Sequence, residues 1–232
     1  MNSGLVWIKS LVEWLFPRYC AICGARLRAD ERAVCLHCLA SMPLTGYHLW
    51  KENPVERLFW GKFPLERATA WMVYQRGTPY AKIIHQFKYG GRKTLAVDMG
   101  RMMAADLQKD GFFEGVDFIV PVPLHPRRLL MRGYNQSEML AKGVSEITQI
   151  PILNGVVERI RYTETQTKKS GAERAENMKH TFRVADVNNV IGKHLLLVDD
   201  VVTTSSTLTA CGDALQAAEG IRLSVLALAS AE

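Results

Sequence analysis

The chain has 232 residues, 48% of them apolar and 22% charged, which is the composition of a soluble globular protein and excludes a chain disordered throughout. Lys and Arg outnumber Asp and Glu by 29 to 23, a net charge of +6; that excess suits a nucleic acid or a small polyphosphate and does not choose between them. Four of the five cysteines form two Cys-x-x-Cys pairs and the fifth, Cys211, stands far away, so a secreted disulfide framework is excluded and a cytoplasmic location is expected.

The apolar N-terminal stretch from Leu5 to Phe16 is interrupted by Lys9 and Glu13, has no basic residue before it and no small-residue cleavage site after it. It does not read as a signal peptide. It also falls short of the roughly 20 apolar residues that span a bilayer, so no membrane span is expected. Leu5, Ile8, Val12 and Leu15 share one helical face; the expectation for 1–16 is an amphipathic helix packed on the body, with a membrane-surface helix as the alternative.

Residues 17–43 are Cys-rich. Cys20 and Cys23, then eleven residues, then Cys35 and Cys38 have the separation of a zinc-ribbon knuckle pair. Four thiolates complete a tetrahedral Zn²⁺ and leave no open position, so the site is structural. A module this short buries little apolar area and depends on metal binding for its fold. An iron–sulfur cluster or a redox pair is the alternative, as is His37 or His48 in place of one thiolate. In the module Arg26, Arg28 and Arg32 are offset by Asp30 and Glu31. Residues 44–67, with Trp and Pro, read as a connector.

From residue 68 to 232, strand-like and helix-like patterns alternate. Ala68 to Tyr74 reads as a strand, and Thr78-Pro79 as a cap and first position of a helix through Phe87. A helix over Thr94 to Gln108 follows, then a short apolar strand from Phe118 to Val122, a basic loop, and a helix from Tyr134 to Ile147. A strand is expected near Ile152 to Val157. Arg159 to His180 is polar. His194 to Val198, a polar turn, a helix and Arg222 to Ala229 have the order of a right-handed parallel crossover. The fold class is therefore α/β, a mostly parallel twisted sheet flanked by helices and buried on both faces, with the small zinc-ribbon module at its N-terminus.

In the final unit an apolar strand delivers Asp199 and Asp200 at its C-terminal end, and Thr203, Thr204, Ser205, Ser206 and Thr207 then open a helix. That edge of an open α/β sheet is where ligands bind. Backbone N–H groups at the helix start can hold a phosphate, and the hydroxyls add uncharged donors. The aspartates can accept from neighbouring sugar hydroxyls and favour positive charge developing on the ring. A phosphorylated sugar fits this set; helix capping and a solvated acidic pair are the bland alternative. Cys211, with Leu208, Leu215 and Ala218 on one helical face, reads as core, and Gly220 as the helix stop.

His125 with Arg127, Arg128 and Arg132 lies between a strand end and a helix start, and guanidinium forks suit a multiply charged anion. A solvated basic turn is the alternative. Lys88 and Arg92 sit at a separate helix end. The stretch from Arg159 to His180 carries Lys168, Lys169, Arg174 and Lys179 with Ser170-Gly171 as a flexible point, the length and composition of a lid or of a bare surface loop.

The run from Leu196 to Leu208 resembles the 5-phosphoribosyl-diphosphate (PRPP) motif of the type I phosphoribosyltransferases: apolar residues, two acids, two apolar residues, then hydroxyl residues. Ser205 stands where that motif has glycine, and a serine held at φ > 0 costs on the order of 1 to 3 kcal/mol. His125-Pro-x-Arg128 followed by Arg132-Gly-Tyr-Asn-Gln-Ser137 resembles the ComF family, as do Leu15-Phe-Pro, Ile84 to Arg92, and Thr163 to Gln166 with Arg174 and Asn177. The resemblance spans about residue 15 to 229.

It implies catalytic contacts to ribose from Asp199 and Asp200, and a 5-phosphate held by Thr203 to Thr207. It further implies a diphosphate held by Arg127, Arg128, Arg132 and Lys88, with Mg²⁺ accompanying PRPP. Arg159, Gln166, Lys168, Lys169 and Arg174 would belong to the lid. The family is associated with uptake of transforming DNA, so two other expectations stand beside an enzyme. One is a non-catalytic nucleic-acid-handling factor that meets single-stranded DNA or the DNA-uptake machinery; the other is a PRPP-sensing regulator. No base-reading hood is recognisable in 44–93, which leaves the acceptor open, and no glutaminase domain is recognisable.

Overall fold

The structure is a computed structural model describing residues 17–161 and 181–231; the expected helix over 1–16 and Gln166, Lys168, Lys169 and Arg174 lie outside the described residues. In chain order it contains α1 (Leu36–Ala40), α2 (Pro54–Arg57), β1 (Arg67–Tyr74), α3 (Ala81–Tyr89), α4 (Lys93–Leu107), β2 (Phe118–Pro121), α5 (Pro126–Arg132), α6 (Gln136–Thr148), β3 (Val157–Arg159), β4 (Phe182–Val184), β5 (His194–Val202), α7 (Ser206–Leu215) and β6 (Arg222–Ala231).

Strands β1, β6, β5 and β2 form a parallel sheet in that order, and β3 and β4 form a separate antiparallel pair. Because side chains alternate along a strand, each strand supplies two cores. Leu196, Val198, Leu226 and Leu228 face one of them with α3, α4, α6 and the Cys-rich module. Leu195, Leu197, Val225 and Ala227 face the other with α7, β3, β4 and the 55–63 segment. The strands are apolar on both faces because both faces are covered.

From β2 the chain runs through α6 to Ile152, which bridges Ile119 on the outer side of β2. From β5 it runs through α7 to β6 on the opposite side. The two crossovers leave in opposite directions, so a crevice opens between the C-terminal ends of β2 and β5, the switch point at which open α/β sheets bind ligands.

Several local expectations shift. The helix after β1 starts at Ala81, since Thr78 Oγ1 donates to the Gln75 carbonyl at 2.8 Å instead of capping. The strand expected over 152–157 divides, because Gly155 at φ 73° turns the chain between the Ile152 bridge and β3. Helix α7 stops before Gly220: Ala217 and Ala218 N–H groups bond three residues back and tighten its end.

The 44–67 segment is not a loose connector. Thr45 N–H donates to the Trp71 carbonyl at 3.0 Å, and buried Asn53 caps α2 while its Nδ2 donates to the Ala68 carbonyl at 2.9 Å. Among the described residues no helix is long and apolar enough to cross a membrane.

Candidate functional site

Pairing of β5 with β2 ends at Val198, where Val122 N–H still donates to the Val198 carbonyl at 3.0 Å. Pairing with β6 continues to Val202. From Asp199 onward β5 is therefore flanked on one side only, and the acidic pair sits within the strand's open end rather than after it. Ser137 Oγ donates to Asp199 Oδ1 at 2.9 Å, and the Asp200 N–H donates to the same oxygen at 2.8 Å. Lys88 Nζ lies 3.3 Å from Asp200 Oδ2. Burial, and then the neighbouring Asp200 carboxylate, push the Asp199 carboxyl up to about 7.

The segment from Arg132 to Ser137 assembles this arrangement. Asn135 caps α6 by accepting from Ser137 N–H at 3.1 Å, and its Nδ2 donates to the Val122 carbonyl at 3.0 Å. Tyr134 Oη and Gln136 Nε2 both donate to the Phe87 carbonyl, at 2.5 and 3.3 Å. That carbonyl precedes Lys88, so the start of α6 fixes the end of α3. Arg132 Nη1 donates to Gln136 Oε1 at 2.8 Å.

On the other rim, His125 caps α5 by accepting from Arg127 N–H at 3.2 Å. Its imidazole pKa is lowered by desolvation and by Arg127, Arg159 and Arg128. Arg127 is exposed and Arg128 half-buried. Arg159, expected within a polar lid, instead ends β3 and is buried, its guanidinium 5.5 Å from the Phe182 ring centre. Burial and Arg128 bring its pKa to about 10 against the opposing pull of Asp199. The crevice thus has a cationic rim, Arg128 beside Arg159, with Arg159 in electrostatic reach of Asp199.

The loop after β5 enters α7 at Ser206. Thr203 is exposed, while Thr204, Ser206 and Thr207 are half-buried, with Thr204 Oγ1 and Ser206 Oγ 2.9 Å apart. Ser205 is buried and left-handed, at φ 57° and ψ −2°. Its Oγ lies 2.6 Å from the Thr204 carbonyl and 3.0 Å from the Leu58 carbonyl, the two acceptors for its hydrogen, and accepts from Lys62 Nζ at 2.6 Å.

Sequence reasoning missed Ser137, Tyr134, Gln136 and Lys62 as members of this site. The first three had a signal: four consecutive polar or hydroxyl side chains opening an apolar-faced helix cannot all meet solvent. Lys62 had none, being 143 residues from Ser205 in the chain.

Cys20, Cys23, Cys35 and Cys38 converge, with their sulfur atoms all within 4.8 Å of one another. Ile22 and Cys35 N–H groups donate to Cys20 Sγ at 3.4 Å, and Ala25 N–H to Cys23 Sγ at 3.5 Å. Burial opposes ionisation of Cys20, yet backbone donors at Cys23, Cys35 and Ile22 outweigh it and bring the thiol to about 6. A closed set of four thiolate donors fits structural Zn²⁺. His48 is not a ligand, since its Nε2 lies 3.1 Å from Asp110 Oδ2.

Two family profiles match the chain: a double zinc ribbon domain over residues 11–48 and a phosphoribosyl transferase domain over residues 132–231. The DNA utilization protein YhgH of Escherichia coli K12 is 32% identical over 212 residues, covering 88% of this chain and 87% of that protein. Competence protein F of Haemophilus influenzae is 29% identical, covering 82% and 86%. Competence protein ComFC of Bacillus subtilis is 31% identical over 90 residues, 39% of this chain and 34% of that protein. Among solved structures, a glutamine PRPP amidotransferase from B. subtilis is 22% identical with a TM-score of 0.37, over 56% of this chain and 25% of that one. With a four-cysteine module joined to a type I phosphoribosyltransferase-like fold, and a relative of this identity along most of its length, the chain belongs to the ComF family.

Proposed function

We propose that the chain binds PRPP with Mg²⁺ in the crevice between β2 and β5 and transfers its 5-phosphoribosyl group with release of diphosphate. The carrying observation is the acidic pair at the open end of β5, with Asp199 bonded to Ser137 and Asp200 paired with Lys88, directly before a hydroxyl loop that opens a helix.

Asp199 and Asp200 accept from the ribose hydroxyls and favour positive charge on the ring as the bond from C1 to the diphosphate oxygen breaks. The electron pair leaves on that oxygen, and the acceptor's nucleophile forms the new bond to C1. Arg128 and Arg159, with Arg127 on the same rim and Arg132 at the start of the facing segment, offset the charge of the departing diphosphate. The residues from Thr203 to Thr207 and the first N–H groups of α7 hold the 5-phosphate. Asp199 and Asp200 are hard oxygen donors that would suit Mg²⁺ bound with PRPP, and the cation would reduce the charge on the leaving group.

Calorimetric titration with PRPP and Mg²⁺ tests this. Wild-type protein should give saturable heat, with Asp199→Asn and Asp200→Asn each weaker by roughly tenfold or more. Wild-type protein showing neither heat nor thermal stabilisation overturns it.

The names of the relatives support a second reading, in which a cytoplasmic PRPP-binding domain serves the handling of incoming single-stranded DNA. Binding of an oligonucleotide that weakens with salt, and weakens further when Lys168, Lys169 and Arg174 are neutralised, is its expected signature.

A further inference from the structure

Of the described non-glycine residues with positive φ, Glu52, Gln149 and Ser205, only Ser205 is buried. Left-handed backbone is costly for serine and nearly free for glycine. The strained residue persists where surrounding contacts over-determine it, and beside the bond of Ser205 Oγ to the Thr204 carbonyl at 2.6 Å within the loop, two contacts come from outside it. Lys62 Nζ donates to Ser205 Oγ at 2.6 Å, Ser205 Oγ in turn reaches the Leu58 carbonyl at 3.0 Å, and Thr209 N–H donates to the Ser205 carbonyl at 2.7 Å.

The turn carrying Leu58 and Lys62 is itself anchored. Phe59 and Phe63 are buried with ring centres 5.4 Å apart. Phe63 lies over Gly212 of α7, where any β-carbon would collide with its ring. The ammonium of Lys62 is partly desolvated, with Asp213 as the charge that opposes the loss of its proton. Rigid aromatic anchors thus hold a cation against one residue of the loop.

We propose that Lys62 is a positioning residue for the phosphate loop, holding Ser205 in the left-handed conformation that aims the first N–H groups of α7 at a phosphate monoester. The proposal rests on the reading of this loop as the 5-phosphate cradle. A serine needs the tether and a glycine does not, so the contributions of residues 62 and 205 are coupled. The tether runs through Lys62, Ser205 and Leu58 and uses neither Asp199 nor the arginines of the cationic rim, so a diphosphate without the sugar phosphate does not report on it.

The test is a double-mutant cycle in the full chain with Lys62→Met, Ser205→Gly and the double variant, together with Lys62→Arg. Ribose 5-phosphate probes the cradle and inorganic diphosphate the opposite rim. Lys62→Met should weaken ribose 5-phosphate roughly tenfold, the worth of one charge-assisted hydrogen bond, and leave diphosphate within about twofold. In the Ser205→Gly background it should cost less than about twofold, and Lys62→Arg should recover most of the affinity. An equal cost in both backgrounds, or none in either, overturns the proposal.

Thermal unfolding of the ligand-free variants separates the two readings. Should the wild type bind neither PRPP nor ribose 5-phosphate, the transferase reading fails while the tether is still decided. Lys62→Met must then lower the melting temperature with serine at 205 and leave it unchanged with glycine, and equal shifts overturn the tether.

Discussion

Tyr134 donates its hydroxyl to the Phe87 carbonyl at 2.5 Å. The next residue is Lys88, whose ammonium lies 3.3 Å from Asp200, so one buried phenol sets where a cation of the acidic pair stands. Tyr134→Phe keeps the buried ring beneath Lys93, 5.5 Å from its centre, and removes only the donor. Gln136 still reaches the carbonyl at 3.3 Å. A stability loss of about 1 kcal/mol is expected, with PRPP affinity falling a few-fold because the end of α3 is less well fixed. Denaturant unfolding and titration on the same protein check both; affinity unchanged beside lowered stability confines the bond to a structural role.

The Asp199 carboxyl, raised to about 7 by burial and by Asp200, has an ordinary value of about 3.9 in the unfolded chain. Between those two values the folded state keeps a proton that the unfolded state has released, so stability falls as pH rises from about 4 to about 7, and the penalty is complete above 7. Asparagine preserves the acceptor for Ser137 and carries no charge. Asp199→Asn is therefore expected to be more stable than wild type at pH 8, with the gap closing towards pH 4. Urea unfolding at several pH values measures this, and a gap independent of pH rejects the raised carboxyl.

Parallel order, double-faced burial and the acid-hydroxyl run were legible because each is written locally: apolar strands, a strand-helix-strand unit, and side-chain types at a strand end. The Cys pairs were legible for the same reason, since four thiolates at that spacing have one closed geometry. Arg159 reads as part of a polar stretch because its charge outweighs the apolar Val156 and Val157 before it, and the aromatic Phe182 that covers it sits on β4, the strand paired with its own. The 44–67 segment read as a connector because Asn53, Phe59 and Phe63 find their partners on β1 and α7, and contacts at that separation leave no periodicity in either segment.

Gly212 tests how closely the 58–63 turn is fitted to α7. An ideal β-carbon there would stand 2.5 Å from Phe63 Cε1. Alanine normally gains about 1 kcal/mol over glycine inside a helix, but displacing a buried ring costs typically 1 to 3 kcal/mol. Gly212→Ala is expected to destabilise on balance and to weaken ribose 5-phosphate binding through Lys62. Melting and titration check the pair, and a stabilised variant shows that Phe63 moves aside freely.

Removal of zinc should be felt far from the cysteines. The module's Cys20, Ile22, Leu27 and Val34 share one core with Ile83, Ile84 and Phe87 of α3. Gln86 Nε2 donates to the Ala21 carbonyl at 2.8 Å, and Tyr80 Oη to the Ser41 carbonyl at 2.7 Å. Helix α3 is therefore packed between the module and the acidic pair that Lys88 faces. Structural zinc contributes folding free energy outright, so a chain stripped of metal loses the support of one side of α3. Metal analysis should return one zinc per four-cysteine cluster, and Cys38→Ser should abolish it. Chelation should lower the melting temperature of the whole chain in one transition and weaken PRPP binding, with zinc restoring both. Two separate transitions, the upper one unmoved by chelation, show instead that the module melts alone and that α3 holds Lys88 in place without it.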